Sequence, residues 1–307
     1  MGELTSQVAL LSGVLACFLA GPVVGLLLVA RRRRIARTQR RSPLGIDLLR
    51  GPGHSLREQI EEVTGDMIFT ITLLTALPMV LLAIFLAQSH LRGLENMTRL
   101  APIYGIAAIG FLVIYVRKLL KSESHLDNLR AGYDAEVAVG QELEQLMRKG
   151  AVTFHDVPAE GFNIDHVVVS REGLFAVETK GFTKPNLGRG RADATVIFDG
   201  QALKFPTYST VEPLEQAERQ AKWLSYWLTS AAGMPVRSLP VIALPGWFVQ
   251  RTGRGGVRVF SGRELGGLLS TRGTQALTDE EVQRLAHQLD QRCRTVTPKF
   301  KRAEESK

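Results

Sequence analysis

Three charged side chains, Asp165, Glu178 and Lys180, stand within two apolar segments that are typical of buried strands. These segments, residues 163–169 and 175–180, are separated only by a short polar turn. An unpaired charge inside a protein is costly, so buried charged groups normally bind a metal ion or one another. The pattern therefore indicates a hairpin whose charged residues act together.

The predicted register of this hairpin places the three side chains on one face. With residues 172–173 as a two-residue turn, Arg171 pairs with Leu174. Counting back along both strands, Asp165 then faces Lys180. The second carboxylate is two residues from the lysine and shares its face, because side chains alternate along a strand.

Two carboxylates and one lysine on a common face suit the cleavage of phosphodiester bonds. Carboxylate oxygens are hard ligands for Mg²⁺, and Mn²⁺ accepts the same donors. A divalent cation activates a bound water and neutralises charge on a phosphate, and a neighbouring lysine orients that water. The alternative is a structural ion pair buried within the hairpin.

The segment from Leu129 to about Phe248 resembles the nuclease-related domain (NERD) family, a branch of the PD-(D/E)XK nuclease superfamily. A lone Glu-x-Lys is a weak motif, but the ordered series found here is specific. The series is Gly132-Tyr-Asp-Ala-Glu136, Phe154-His-Asp-Val157, Asn163-Ile-Asp-His166, Glu178-Thr-Lys180, Glu212-Pro-Leu-Glu-Gln-Ala217 and Val241-Ile-Ala-Leu-Pro-Gly246. The resemblance covers well under half of the chain.

The resemblance implies a restriction-endonuclease-like α/β fold with an αβββαβ core. By this resemblance, Asp165 and Glu178 would be the principal metal ligands, and Lys180 would be the catalytic lysine. Glu136, on the opening helix, would be an auxiliary ligand of the metal or of a water. Gln216, on the later helix, would help to place a water or a phosphate.

Other polar residues can be interpreted without the family. Gln216 and Gln220 are four residues apart on a helix predicted over residues 213–230, whose apolar stripe faces the core. His166 alternates away from the carboxylate on its own strand, so we expect it and His155 to be packing residues. Two flexible, glycine-rich loops either grip phosphates without reading sequence or form a solvated surface. Their cations are Lys184, Arg189 and Arg191 in the first loop, and Arg251, Arg254 and Arg258 in the second.

Three uncharged apolar runs precede this region, at residues 8–30, 67–87 and 100–116. Their lengths predict three transmembrane helices. An arginine cluster, Arg31–Arg41, follows the first run, and further cations follow the third. The positive-inside rule then places the cluster and everything after the third run in the cytoplasm.

The arginine cluster also explains most of the net charge of +8. Its natural partner is the anionic lipid headgroup, so the basic composition does not by itself indicate nucleic acid. Cys17 lies in the first apolar run and Cys293 near the C-terminus, so the two do not form a disulfide framework. The sequence contains no Cys/His cluster typical of zinc.

These features divide the chain into three regions. We predict a membrane region over residues 1–125, with a cytoplasmic loop at 31–66, and a nuclease-like domain over residues 126–272. Residues 273–307 form an amphipathic helix and a charged tail, and the helix begins at the capping box Thr278-Asp-Glu-Glu281.

The combined interpretation is a multi-pass protein of the cell membrane with a cytoplasmic, Mg²⁺-dependent nuclease domain that acts on DNA independently of sequence. The alternative is a catalytically inactive module of the same fold, which binds nucleic acid or a protein partner at the membrane. The joint presence of Asp165, Glu178 and Lys180 favours the enzyme, because an inactive site has no need of buried charges.

Overall fold

The computed structural model describes residues 20–21, 24–36, 43–92, 97–270 and 275–298. The chain divides into two compact units. One unit includes Glu62–His125, and the other consists of Ile46–Glu61 together with Leu126–Thr297.

Long helices dominate the unit that includes Glu62–His125. The helices are α1 at residues 24–36, α2 at His54–Arg92 and α3 at Met97–Glu144, and the last two extend into the second unit. By length and composition, α2 and α3 are each long and apolar enough to cross a membrane, over His54–Leu86 and Ala101–Lys149, and these ranges overlap the predicted second and third runs. Much of the first predicted run, residues 8–19 and 22–23, lies outside the described residues.

The second unit is built on a five-stranded mixed sheet in the order β10-β8-β4-β3-β2. The strands are β2 (Val152–Pro158), β3 (Asn163–Ser170), β4 (Gly173–Thr179), β8 (Ser238–Leu244) and β10 (Arg258–Ser261). β2, β3 and β4 are antiparallel, whereas β4, β8 and β10 are parallel. This order matches the predicted α/β arrangement of the core.

Helices cover both faces of this sheet. α4 (Glu212–Ala232) and α5 (Asp279–Cys293) pack on the face that presents Val167 and Ala176. The C-terminal part of α3 packs on the opposite face, against residues such as Val168. Successive residues of a strand therefore point to opposite faces of the sheet. One side chain contacts α4 or α5, and the next contacts α3.

The register of the central hairpin differs from the prediction. Ser170 pairs with Gly173, so the turn consists of Arg171 and Glu172, and the predicted pairing of Arg171 with Leu174 is wrong. The Ser170 hydroxyl accepts a hydrogen bond from the Glu172 N–H at 3.3 Å and so closes the turn one residue earlier. Gly173 takes a φ of +140°, which favours glycine at this position.

Two smaller sheets complete the second unit. A four-stranded sheet has the order β7-β6-β5-β9, and a two-stranded sheet pairs β1 with β11. The strands are β1 (Leu48–Leu49), β5 (Thr195–Phe198), β6 (Leu203–Lys204), β7 (Ser209–Thr210), β9 (Phe248–Arg251) and β11 (Arg294–Val296). β5 and β6 form an antiparallel hairpin around Asp199-Gly200.

The second unit extends beyond the predicted domain at residues 126–272. The capping box of α5 is confirmed, and α5 buries Leu285 and Leu289 in the main core. Residues 46–61, which we assigned to a cytoplasmic loop of the membrane region, also belong to this unit, because β1 pairs with β11. Such pairing joins distant parts of the chain and leaves no local pattern in the sequence.

Candidate active site

Asp165 and Glu178 lie side by side at the ends of adjacent strands. Asp165 directly precedes His166 in β3, and His166 pairs with Val177, so Asp165 lies opposite Glu178. The Asp165 Oδ2 atom accepts a hydrogen bond of 2.6 Å from the Thr179 N–H. The corrected register keeps both carboxylates on the predicted common face, because it moves the pairing by an even number of residues.

Lys180 follows β4 directly and turns back toward the carboxylates. Its Nζ atom lies 2.7 Å from Glu178 Oε1 and 2.9 Å from the side-chain oxygen of Gln216. The Lys180 N–H donates to the Ala243 carbonyl on β8 at 3.0 Å, which fixes the backbone at this point. The lysine is therefore held between one strand residue and one helix residue.

Gln220 belongs to the site together with Gln216. Its side-chain nitrogen donates to Glu178 Oε2 at 2.5 Å and to the Asn163 carbonyl at 3.3 Å. Gln216 and Gln220 are one helical turn apart, so α4 presents both amides to the site. The four-residue spacing was visible in the sequence, but the burial of Gln220 was not.

Glu136 joins the cluster from α3. Burial, followed by repulsion from Asp156 and Glu178, raises the pKa of Glu136 to about 7. Burial also raises the pKa of Asp165 well above its ordinary value, with further contributions from Glu178 and Glu136. The protonated forms of Glu136 and Asp165 are therefore favoured, because burial and the neighbouring carboxylates outweigh the effect of Lys180.

The site offers carboxylate oxygens, which are the ligands that Mg²⁺ prefers, but few of them. Within the described residues, no group of three or more His, Cys, Asp or Glu side chains is arranged to hold a metal ion. Mg²⁺ often binds through only one or two protein carboxylates and keeps several waters. Asp165 and Glu178 would suit that mode, because the two carboxylates lie opposite each other on adjacent strands.

The two histidines lie on the other face of the sheet and take no part in the site. His155 and His166 form a cross-strand pair, and their Nδ1 atoms are 2.8 Å apart. Burial lowers the pKa of both rings, so the neutral forms are favoured. The predicted packing role agrees with this position.

The two predicted cationic loops have different environments. In the first, Arg189 is ion-paired with Asp193 at 3.0 Å, and Arg191 lies 4.2 Å from the centre of the Phe248 ring. In the second, Arg251, Arg254 and Arg258 line a cavity of about 500 Å³. The glycines of the second loop pack closely against a neighbouring turn. A Cβ atom on Gly253 would lie 1.7 Å from the Asp199 carbonyl oxygen.

A mixed sheet flanked by helices, with an Asp and a Glu-x-Lys at adjacent strand ends, is consistent with an α/β nuclease-like fold. Residues 131–244 match the family model described as NERD, nuclease-related domain. This segment is therefore a nuclease-related domain, as the sequence motifs predicted, and it contains all five predicted site residues. Searches of the curated proteins and of the solved structures found no match.

Proposed function

We propose that this protein is a membrane-anchored, metal-dependent phosphodiesterase that cleaves DNA on the cytoplasmic side. The observation that carries the proposal is the contact of Lys180 with Glu178, at 2.7 Å, beside Asp165 on the same sheet face. The match of residues 131–244 to the nuclease-related domain supports the same activity.

Each residue of the cluster has a distinct proposed role. Asp165 and Glu178 would hold Mg²⁺ or Mn²⁺, with Glu136 as an auxiliary ligand. The bound ion would supply a water of lowered pKa and neutralise charge on the phosphate. Lys180 would orient the attacking water and stabilise charge on the phosphate oxygens. Gln216 would hold the lysine amine in place, as its 2.9 Å contact suggests.

We assign the DNA contacts to the cationic loops. Arg254 and Arg258 are exposed and line the cavity beside β10. Arginines of this kind bind phosphates of any sequence, so the proposed binding is independent of sequence and depends on salt. The loop glycines pack tightly against the turn at Asp199 and Gly200, which would present the arginines in a fixed position.

We propose that the apolar helices anchor the domain in the cell membrane. The stretches in α2 and α3 expose large apolar side chains, among them Ile68, Phe69 and Ile106. The Arg31–Arg41 cluster and the cations after residue 116 favour the cytoplasmic side for the domain, and the cluster would contact anionic lipid.

A second candidate is a non-catalytic module that binds nucleic acid or a protein partner at the membrane. The observation that favours it is the engagement of both Glu178 oxygens by protein groups, Lys180 on one and Gln220 on the other. A carboxylate with both oxygens engaged has less capacity left for a metal ion.

A cleavage assay with the full-length protein in detergent separates the two candidates. Plasmid, linear duplex, single-stranded DNA and RNA are incubated with Mg²⁺ or Mn²⁺, and metal binding is measured by titration calorimetry. We expect Lys180→Ala to lower cleavage at least about a hundredfold while metal and DNA binding persist. Asp165→Ala should lose metal binding, because it removes a ligand.

Lys222→Ala is the matched control for Lys180→Ala, because Lys222 is an exposed lysine on α4. It should retain wild-type cleavage. Binding of nucleic acid with no cleavage by wild type on any substrate, and unchanged metal binding in Asp165→Ala, would support the non-catalytic module instead.

A further inference from the structure

Residues 50–56, here called the strap, lie against the face of α3 that carries Glu136. Gly132, Glu136 and Gly140 are spaced by four residues and so share one face of the helix. A Cβ atom on Gly140 would lie 2.6 Å from Pro52 Cγ, and one on Gly132 would lie 3.2 Å from Leu56 Cδ1. The glycines on either side of Glu136 therefore allow the strap to approach the helix closely.

The middle of the strap lies close to Glu136. The Gly53 N–H is near enough to the Glu136 carboxylate to lower its pKa, against the larger effect of burial. Gly53 has a φ of +67°, and a Cβ atom there would lie 2.6 Å from Tyr133 Cδ2. Both its conformation and its surroundings thus require glycine, so the position of this N–H is fixed by packing.

Asp156 anchors the strap to the sheet. This buried carboxylate accepts hydrogen bonds from the Ser55 hydroxyl at 2.7 Å, the Ser55 N–H at 3.2 Å and Arg50 Nη1 at 2.8 Å. Asp156 is the one non-glycine residue with positive φ in the described part of the chain, at +49°. Such strain persists where the surrounding contacts hold it, and here those contacts all come from the strap.

A second set of bonds fixes the strap at its ends. Asn163, two residues before Asp165 on β3, donates to the Ser55 hydroxyl at 2.6 Å. Arg50 also bonds Thr295 on β11 at 2.8 Å, through its Nε atom. The strap therefore connects the helix that carries one site carboxylate to the strand that carries another.

We propose that the strap is a positioning element of the candidate site, which holds the Glu136 carboxylate beside Asp165 and Glu178. The inference rests on the proposed function for its catalytic meaning, but the packing of the strap against the helix face that carries Glu136 stands without it. Ser55 and Arg50 are positioning residues, because they act through Asp156 and Gly53. The last three residues of the strap, His54–Leu56, form the start of α2.

Chemical labelling of carboxylates in the full-length protein tests the contact without any need for activity. Gly140→Ala forces Pro52 away from α3, and Gly267→Ala is the matched control, because nothing lies within 4 Å of that position. A carbodiimide with an amine tag is applied in detergent, and labelled residues are identified by mass spectrometry. We expect Glu136 labelling to rise at least about fivefold in Gly140→Ala, since an extra methyl does not fit the packed contact.

Asp134, exposed on the same helix, is the internal reference and should label equally in all variants. Equal labelling of Glu136 in wild type, Gly140→Ala and Gly267→Ala would overturn the proposal. A rise in both Asp134 and Glu136 would indicate general unfolding of α3 and would likewise count against a specific strap.

The positioning role is tested with Ser55→Ala and its conservative counterpart Ser55→Thr, which keeps a hydroxyl for Asp156. We expect Ser55→Ala to weaken Mn²⁺ binding and to lower kcat for DNA cleavage with little change in KM. Ser55→Thr should restore both. If Ser55→Ala increases Glu136 labelling but keeps the wild-type Mn²⁺ binding and kcat, the strap only covers Glu136 and the positioning role is overturned.

If wild type neither binds Mn²⁺ nor cleaves DNA, the proposed function fails on its own account. The labelling experiment then still decides whether the strap holds Glu136, so the two failures are distinguishable.

Discussion

Gln220 donates a 2.5 Å hydrogen bond from its side-chain nitrogen to Glu178 Oε2, and each of these two residues is only 2% exposed. Lys180 binds the other oxygen of the same carboxylate. Glu178 is therefore held both by Gln220 on α4 and by Lys180, which directly follows β4. Rotation of its carboxylate would break both contacts. The orientation of the proposed metal ligand depends on α4 as much as on the sheet.

Gln220→Met should destabilise the domain by about 1–3 kcal/mol, because it leaves a buried carboxylate oxygen without its donor. The measurement is thermal or denaturant unfolding of the full-length protein in detergent. Gln145→Met is the control, since Gln145 is exposed and donates a hydrogen bond of 3.4 Å to Glu142, which is long. Equal stability of the two variants would contradict the structural role of Gln220.

The domain should become less stable as pH rises, because Glu136 then loses a proton that the folded state binds more tightly than the unfolded state. Its pKa is raised to about 7, chiefly by burial, from an ordinary value of 4.5. A group with a higher pKa in the folded state binds more protons there, so the free energy of unfolding falls as pH rises between those two values. This group alone contributes a decrease of at most about 3 kcal/mol. Asp165 acts in the same direction, as burial also raises its pKa.

The check is unfolding of wild type and Glu136→Gln at about pH 5 and about pH 8. The variant remains neutral, so its stability should change less with pH. Asp134→Asn, at an exposed position on the same helix, should keep the wild-type pH dependence. If Glu136→Gln loses stability with pH as steeply as wild type, the assignment to Glu136 is wrong.

Arg258→Ala should weaken DNA binding by a similar factor on every sequence and reduce the dependence of affinity on salt by about one unit of slope. The reason is the loss of one phosphate contact from the cavity that Arg258 lines. Fluorescence anisotropy at several salt concentrations provides the measurement. Arg284→Ala, an exposed arginine on α5, is the control. If Arg258→Ala leaves the salt dependence of DNA affinity unchanged, the DNA does not bind at this cavity.

A cysteine placed at Arg33 should react with an impermeant thiol reagent only after the cell membrane is permeabilised. The expectation follows from the positive-inside rule applied to Arg31–Arg41. The experiment uses Arg33→Cys with Cys17→Ser, and the remaining Cys293 gives little background because it is 1% exposed. Labelling in intact cells would reverse the proposed orientation.

The sequence predicted which side chains come together better than it predicted the elements around them. Asp165 and Glu178 share a face in any register that moves by an even number of residues, so the prediction survived the error at the Ser170 turn. Gln216 was identified from the family motif at residues 212–217, and it lies on a clear amphipathic helix. The shared face and the helix are periodic features, and short-range periodicity is what a single sequence reveals.

The strap could not be predicted in the same way. Ser55 and Asp156 are 101 residues apart, and no local pattern connects them. One indication was present: Gly132 and Gly140 stand four residues on either side of Glu136, where a close approach is possible. Glycines at this spacing on a helix identify a face that another segment can reach, but not which segment.

The pairing of β1 with β11 sets an order of events during synthesis. Arg50 and Thr295, which bond to each other, are 245 residues apart in the chain. A ribosome that adds roughly 5–20 residues per second needs about 12–50 s to cover that distance. For this period the early strand has no partner, so its backbone groups must be satisfied by water. Closure of the domain is then one of the last steps of folding, and a chain that stops before β11 leaves its first strand unjoined.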